Sequence, residues 1–464
     1  MSGAARLAAG ITLFLLPAYA AAAETFTFGA AGKVAVYAPA GTPQQVVLFV
    51  SGDGGWNQGV VPMAERLQRL GALVVGIDIR SYLRHVESSA QACAYPAGDL
   101  EQLSHAVQLH RHLAEYRTPI LVGYSSGATL VYAALAAAPA GTFAGALSLG
   151  FCPDLEQHKP PCFQRELRGR RKAKGVGYDL EPAGGLAAPW MVLQGEIDQV
   201  CGPAATRRFV SQVPRGELFA LPKVGHGFSV PRNWDAAYVD AYRRLAAAPA
   251  TPVPAVPGVQ DLPLVELPAS DATENDRLAV VFSGDGGWTD IDAGIAQGLV
   301  AAGIPAVGWS SLRYFWTPRT PEAAARDLGR VLDHYLAAWG KSRAVLVGYS
   351  FGADALPFLV HRLPPELRTR VDGVVLIGLS RSAQFEFKLA DWLTERTSTY
   401  PTLPEVERLD ARVACVYGAD ERDAACAAAH GARVRPIRLA GGHHLGGDYA
   451  GLAATLVEWI EERP

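Results

Sequence analysis

Short, nearly unbroken apolar runs recur along this chain, and each closes on glycine or a polar turn. Gln45-Val46-Val47-Leu48-Phe49-Val50, Leu73 to Ile77, Pro119 to Val122, Ala144 to Leu149 and Trp190 to Gly195 form one series. Leu278 to Phe282, Pro305 to Trp309, Ala344 to Val347, Val374 to Gly378 and Val413 to Gly418 form another, and Val434 to Leu439, broken by two arginines, reads as its last strand. Continuous apolar runs of this length are the pattern of parallel strands buried on both faces. Helix-like stretches such as Val60 to Leu70 separate them. Thr25 to Ala38 alternates instead, as an opening strand or hairpin would. Strands alternating with helices predict mostly parallel sheets flanked by helices.

The two series are copies of each other. Ser51-Gly52-Asp53-Gly54-Gly55-Trp56 ends the first strong run of one half, and Ser283-Gly284-Asp285-Gly286-Gly287-Trp288 ends that of the other. Each half then has a strand ending in Gly-Tyr-Ser-x-Gly-Ala and closes on a Gly-His element and a terminal helix. A repeat about two hundred residues long is a duplicated domain rather than a solenoid. The expected layout is a leader over 1–23, a first α/β domain over 24–246, a Pro-rich linker over 247–260 and a second α/β domain over 261–464. Proline at every second or third position makes that linker extended.

Composition narrows the setting. The 464 residues carry a net charge of −3, with no basic stripe beyond Arg168-Gly169-Arg170-Arg171-Lys172, so no nucleic-acid partner is expected. Arg6, the apolar run from Leu7 to Leu16 and an Ala-rich site before Glu24 read as a secretory signal peptide, which predicts a periplasmic protein. The six cysteines suit an oxidising compartment. Cys415 and Cys426 are the simplest pair, being the only two in the second half. Their spacings match no zinc pattern, and neither a metal nor a cofactor is expected.

The chemistry gathers on the two serines. Gly348-Tyr349-Ser350-Phe351-Gly352 and Gly123-Tyr124-Ser125-Ser126-Gly127 each follow a buried-strand pattern and precede a helical one. That is the context of a nucleophile elbow, where small residues let the chain turn sharply and lift the hydroxyl clear of the sheet. Triad partners should follow in the order acid, then histidine. In the second half Gly441-Gly442-His443-His444 places His443 as base, with His444 the alternative. Three carboxylates compete for the acid. Alignment of the two halves on the cysteine selects Asp423, the assignment adopted, and alignment on the preceding glycine selects Glu421. Oxyanion donors are expected from the backbone N–H groups of Phe351 and of Asp285 on the glycine-rich loop. The first half offers Ser125, Asp198 and His226, with a donor loop at Asp53, either as a second active site or as a relict fold used for binding.

Phe282-Ser283-Gly284-Asp285-Gly286-Gly287-Trp288, Gly348 to Asp354 and Gly441 to Tyr449 carry a further signal. With these strings the second half resembles the bacterial virulence protein VirJ family, and the whole chain resembles its longer AcvB branch. The resemblance implies two tandem α/β-hydrolase-like domains and a periplasmic serine hydrolase. It also implies that the enzyme cleaves the aminoacyl ester of aminoacylated phosphatidylglycerol, chiefly lysyl-phosphatidylglycerol, at the bilayer surface. It carries over Ser350 as nucleophile, Asp423 as acid and His443 or His444 as base. Asp354 and Asp285 are candidates for an anionic subsite, or for holding the loops beside the nucleophile. Arg313, with Tyr314 and Trp316, is a candidate for lipid phosphate, or part of a plain exposed loop. The competing functions are a general esterase or thioesterase, and a non-catalytic periplasmic factor that binds secretion components.

Overall fold

The computed structural model describes residues 23–89, 93–163, 165–248, 258–269, 275–386, 400–421 and 424–462. The expected leader and most of the expected linker lie outside these residues. The linker's expected first residue, Ala247, instead ends a helix.

The first half forms one eight-stranded sheet. The alternating stretch after the leader is a hairpin, β1 (Glu24–Phe28) and β2 (Gly32–Tyr37), with Phe26 opposite Val34. The apolar runs follow as β3 (Gln45–Val50), β4 (Ala72–Ile77), β5 (Ile120–Tyr124) and β6 (Gly145–Leu149). A small antiparallel sheet, β7 (Asp154–Leu155), β8 (Gly169–Arg171) and β9 (Tyr178–Leu180), interrupts them. Then come β10 (Trp190–Gly195) and β11 (Gly216–Leu221). The order across the large sheet is β1-β2-β4-β3-β5-β6-β10-β11, and every neighbouring pair from β4 to β11 is parallel. The apolar strands are covered on both faces. α1 (Val61–Arg69) and α6 (Asp235–Ala247) pack on one core, and α2 (Ile79–Ser88), α3 (Pro96–His110), α4 (Ser126–Ala137) and α5 (Pro203–Val210) pack on the other.

The second half repeats the plan with one strand fewer. β12 (Leu264–Leu267), β13 (Arg277–Phe282), β14 (Ala306–Trp309), β15 (Arg343–Tyr349) and β16 (Val371–Ile377) precede a two-stranded excursion, β17 (Ser382–Ala383) and β18 (Tyr400–Pro401). β19 (Arg412–Gly418) and β20 (Val434–Leu439) complete a sheet ordered β12-β14-β13-β15-β16-β19-β20. Only its edge pair, β12 with β14, is antiparallel. In both halves the chain runs outward from one central strand to its neighbour, β3 to β4 and β13 to β14, then crosses to the far side for the nucleophile strand, β5 or β15. Such a switch point opens a crevice at the carboxyl ends of the parallel strands. Three disulfides, Cys93–Cys162, Cys152–Cys201 and Cys415–Cys426, pair every cysteine within its own half, the last as expected.

The halves are joined through α3. Glu101 on this helix is buried and meets Arg313 of the second half, with Nε to Oε1 at 3.1 Å. Arg313 Nη2 also donates to the carbonyl of Gly141. Trp316 packs on the rings of His105 and Tyr116, with centroids 5.5 and 5.2 Å away. Leu109, at the end of α3, packs against the core of the second half.

Candidate active site

β15 ends at Tyr349 and α10 (Phe351–His361) starts two residues later, so Ser350 alone makes the turn. Its backbone sits at φ 51°, ψ −117°, a region that side chains rarely adopt. The flanking glycines make this possible. A Cβ on Gly352 would lie 2.6 Å from the carbonyl oxygen of Phe282, and one on Gly348 would lie 2.6 Å from the backbone of Gly352. Ser125 makes the same turn between β5 and α4 at φ 56°, ψ −123°. Both elbows are therefore built.

In the second half Ser350 Oγ lies 3.0 Å from His443 Nε2. On the far side of the ring, His443 Nδ1 lies 2.6 Å from Glu421 Oε1. The Glu421 carboxylate is held in turn by the N–H of Gly418 at the end of β19. His443 fills the base position, and His444 does not reach Ser350. His444 Nδ1 pairs instead with the Tyr349 hydroxyl at 2.9 Å. Burial opposes charge on His443, but the hydrogen bond and charge of Glu421 outweigh it and raise its pKa. Burial likewise opposes ionisation of Glu421, and the bond to His443 reverses this, leaving its pKa lowered. Both shifts favour imidazolium beside carboxylate, the pair that proton transfer from the serine would create.

The acid corrects the sequence reading. Asp423 lies outside the described residues, and the carboxylate on His443 is that of Glu421. Alignment on cysteine misleads because the cysteines do different work. Cys201 bonds to Cys152, beyond the end of β6, whereas Cys426 bonds back to Cys415 inside β19. Glycine is the true register mark, since the strand end fixes the distance to the histidine. Asp198 follows Gly195 as Glu421 follows Gly418.

Two expected substrate contacts also have other occupations. Asp354 is 1% exposed and accepts a 2.7 Å hydrogen bond from the N–H of Ser380, so it holds the loop after β16. Arg313 belongs to the joint with Glu101 and Gly141 described above, not to an exposed loop. Phe351 opens α10 beside the serine, and Asp285 stands on the glycine-rich loop facing it. These are the places expected of the oxyanion donors.

A cavity of about 430 Å³ opens on Ser350 and His443 and is walled by Asp285, Gly286, Thr289 and His444. The first half supplies part of its wall, as Phe28 and Gln102. A Cβ on Gly286 would lie 2.5 Å from the Gln102 amide nitrogen, so glycine is what lets α3 seat there. Sequence reasoning missed Gln102, because nothing in a helix so far upstream of the pocket's other residues marks it as part of this pocket. An adjoining cavity shares Gln102, Thr289 and His444 and is lined by Asp99 and Asp290. Burial raises the Asp99 carboxyl to about 7, against the hydrogen bond donated by Tyr82, and raises Asp290 to about 6.

In the first half Ser125 Oγ lies 2.8 Å from His226 Nε2, and His226 Nδ1 lies 2.9 Å from Asp198 Oδ2. All three residues expected there are assembled. Asp198, Cys201 and His226 also group as metal ligands would, but the Cys201 sulfur is taken by its disulfide.

The model of the family described as bacterial virulence protein (VirJ) matches residues 44–145 and 276–464. This chain belongs to the VirJ family. Among solved structures it is similar to an α/β serine hydrolase without a lid from Xanthomonas campestris, at 23% identity and a TM-score of 0.32, over 52% of this chain and 100% of that one. An α/β serine hydrolase homologue from Coxiella burnetii is similar at 20% identity and a TM-score of 0.32, over 49% and 98%. An esterase from Thermogutta terrifontis is similar at 16% and 0.34, over 49% and 92%.

Proposed function

We propose that the second half is a serine hydrolase that cleaves the aminoacyl ester of an aminoacylated phosphatidylglycerol, lysyl-phosphatidylglycerol in particular, on the periplasmic side of the membrane. The Ser350–His443–Glu421 relay carries the hydrolase reading. Ser350 Oγ attacks the ester carbonyl while His443 Nε2 takes its proton. The oxyanion forms against the backbone N–H groups of Phe351 and the Asp285 loop. Collapse breaks the ester bond, and His443 returns the proton to the departing glycerol oxygen. Water, activated by the same imidazole, then frees the amino acid and restores the serine.

The acidic walls support the cationic substrate. A lysyl ester brings ammonium groups, and Asp285, Asp99 and Asp290 line the connected cavities. Asp99 and Asp290, whose ionisation burial suppresses, regain it when a cation arrives, so substrate charge and site charge reinforce each other. Placement at the membrane rests on the leader read from residues 1–23 and on the family resemblance. Among the described residues no helix is long and apolar enough to cross a membrane.

The test is lipid analysis of cells that make lysyl-phosphatidylglycerol and express wild type or Ser350→Ala. Wild type should deplete that lipid and release lysine, and Ser350→Ala should not. A lipid pool left intact by the wild type, with the protein present in the periplasmic fraction, would reject the substrate. Loss of the protein from that fraction would reject the location.

A further inference from the structure

We propose that the first half is not a relict: Ser125, His226 and Asp198 form a second, separate hydrolase centre, which takes esters with an uncharged, apolar acyl group. The VirJ match stops at residue 145 in the first half and resumes at 276, so neither Asp198 nor His226 falls within it. The geometry nevertheless closes. Ser125 keeps its strained backbone, and its hydroxyl meets His226 Nε2 at 2.8 Å. The Asp198 acceptor at Nδ1 fixes the tautomer that leaves Nε2 free to take the serine proton.

The acid is more firmly held here than in the second half. Asp198 is 4% exposed and accepts from the N–H groups of Val200 and Cys201 at 2.8 and 2.9 Å and from Gln194 Nε2 at 3.1 Å. The Cys152–Cys201 disulfide ties its loop to the segment after β6. The counterpart of the oxyanion loop also lies against the nucleophile, since a Cβ on Gly52 would stand 2.9 Å from Ser125 Cβ. Ser125 and His226 are both partly exposed, so a substrate can reach them. Backbone strain, a pinned acid and an oriented imidazole are features that binding alone does not require.

The substrate class follows from the two loops that carry Asp198 and His226. Ile197 is 61% exposed and Val200 is 68% exposed, on either side of Asp198 in the acid loop. Val230, 41% exposed, lies four residues after His226. The matching sequence positions in the second half are Asp420, Asp423 and Gly447. In sequence, the acid and base loops of the first half thus carry aliphatic residues where those of the second carry acidic residues or glycine. An apolar acyl group covers aliphatic surface and gains by leaving water. In the reaction, the Ser125 oxygen bonds to the acyl carbon, the ester C–O bond breaks, and His226 passes the serine proton to the leaving alkoxide. Water then cleaves the acyl-serine, for a net conversion of ester and water to acid and alcohol.

Intact-mass measurement after reaction with a fluorophosphonate tests the centre in the full chain. Wild type should gain two adducts, Ser125→Ala and Ser350→Ala one each, and the double variant none. In the Ser350→Ala background, p-nitrophenyl butyrate hydrolysis should persist and fall at least 100-fold when Ser125→Ala or Asp198→Asn is added. Adding Val200→Asp instead should lower kcat/KM for the butyrate at least tenfold while the fluorophosphonate adduct at Ser125 still forms. A single adduct confined to Ser350, or butyrate turnover indifferent to both Ser125→Ala and Asp198→Asn, overturns the proposal. An adduct at Ser125 without one at Ser350 supports it and instead rejects the reading of the second half. Unaltered circular dichroism melting of each variant excludes misfolding as the cause.

Discussion

At the scale of single residues, the informative exchange is between Asp423 and Glu421. Glu421 fixes the His443 tautomer, so Glu421→Gln should lower kcat about 10³–10⁴-fold in a continuous ester assay. Asp423→Asn, by contrast, should stay within about twofold of wild type, because His443 Nδ1 already has its carboxylate in Glu421. The sign of the pH effect follows from the pair. His443 must be neutral to accept the serine proton, and Glu421 raises its pKa. The acid limb of kcat/KM in wild type should therefore lie above that of free histidine, and Glu421→Gln should move it to lower pH while lowering the plateau. A limb that stays put would remove Glu421 from the relay. The carboxylates of the adjoining cavity act in the same direction. Asp99 and Asp290, raised by burial to about 7 and about 6, ionise as pH rises through that range. Binding of lysyl-phosphatidylglycerol to Ser350→Ala should therefore tighten between pH 5.5 and pH 8, measured on vesicles containing it. A flat or opposite trend would take these groups out of substrate recognition.

At the scale of elements, the strand–elbow–helix unit and α3 set the site. The elbow has no room to spare. Gly352→Ala would push a methyl into the carbonyl oxygens of Phe282 and Ser283, at 2.6 and 2.7 Å. Overpacking of this kind costs about 1–3 kcal/mol, visible as a lowered unfolding midpoint, and should displace Ser350 enough to abolish its fluorophosphonate adduct. α3 acts differently, because it only walls the cavity. Gln102→Ala should raise KM for the aminoacyl lipid several-fold and leave kcat within about threefold, the signature of lost ground-state contact. An equal fall in kcat would mean that Gln102 acts on the transition state.

At the scale of the whole molecule, the second site is complete only while the first half is docked on it. The Glu101–Arg313 pair lies at that joint, and breaking a buried pair from one side costs about 3–5 kcal/mol. Glu101→Ala should loosen the two halves, shown by faster amide exchange in α3 and in Ser311–Tyr314. It should weaken turnover at Ser350 while the Ser125 adduct forms at its normal rate. Undisturbed exchange in both segments would mean that the joint is held elsewhere. One copy thus supplies part of the other's pocket and keeps an assembled relay of its own.

Much of this was legible in one dimension. Burial on both faces of a parallel sheet leaves continuous apolar runs, and a turn that admits only glycine beside serine leaves Gly-x-Ser-x-Gly, so the sheets, the duplication, both serines and both histidines could be placed from the chain alone. Chain order also limited the acid to a single loop. Which carboxylate on that loop meets His443 depends on where β19 ends and on where a disulfide closes, and both are matters of distance in space. Asp354 looked like a substrate contact because it stands beside the serine in sequence, and Arg313 because it follows a strand end, yet a helix start turns one into a loop anchor and a domain joint consumes the other. Gln102 and Phe28 left no trace at all. Their contribution comes from packing two separately folded sheets against each other, and side chains that meet only across such a joint carry no periodicity, spacing or motif that a linear reading can detect.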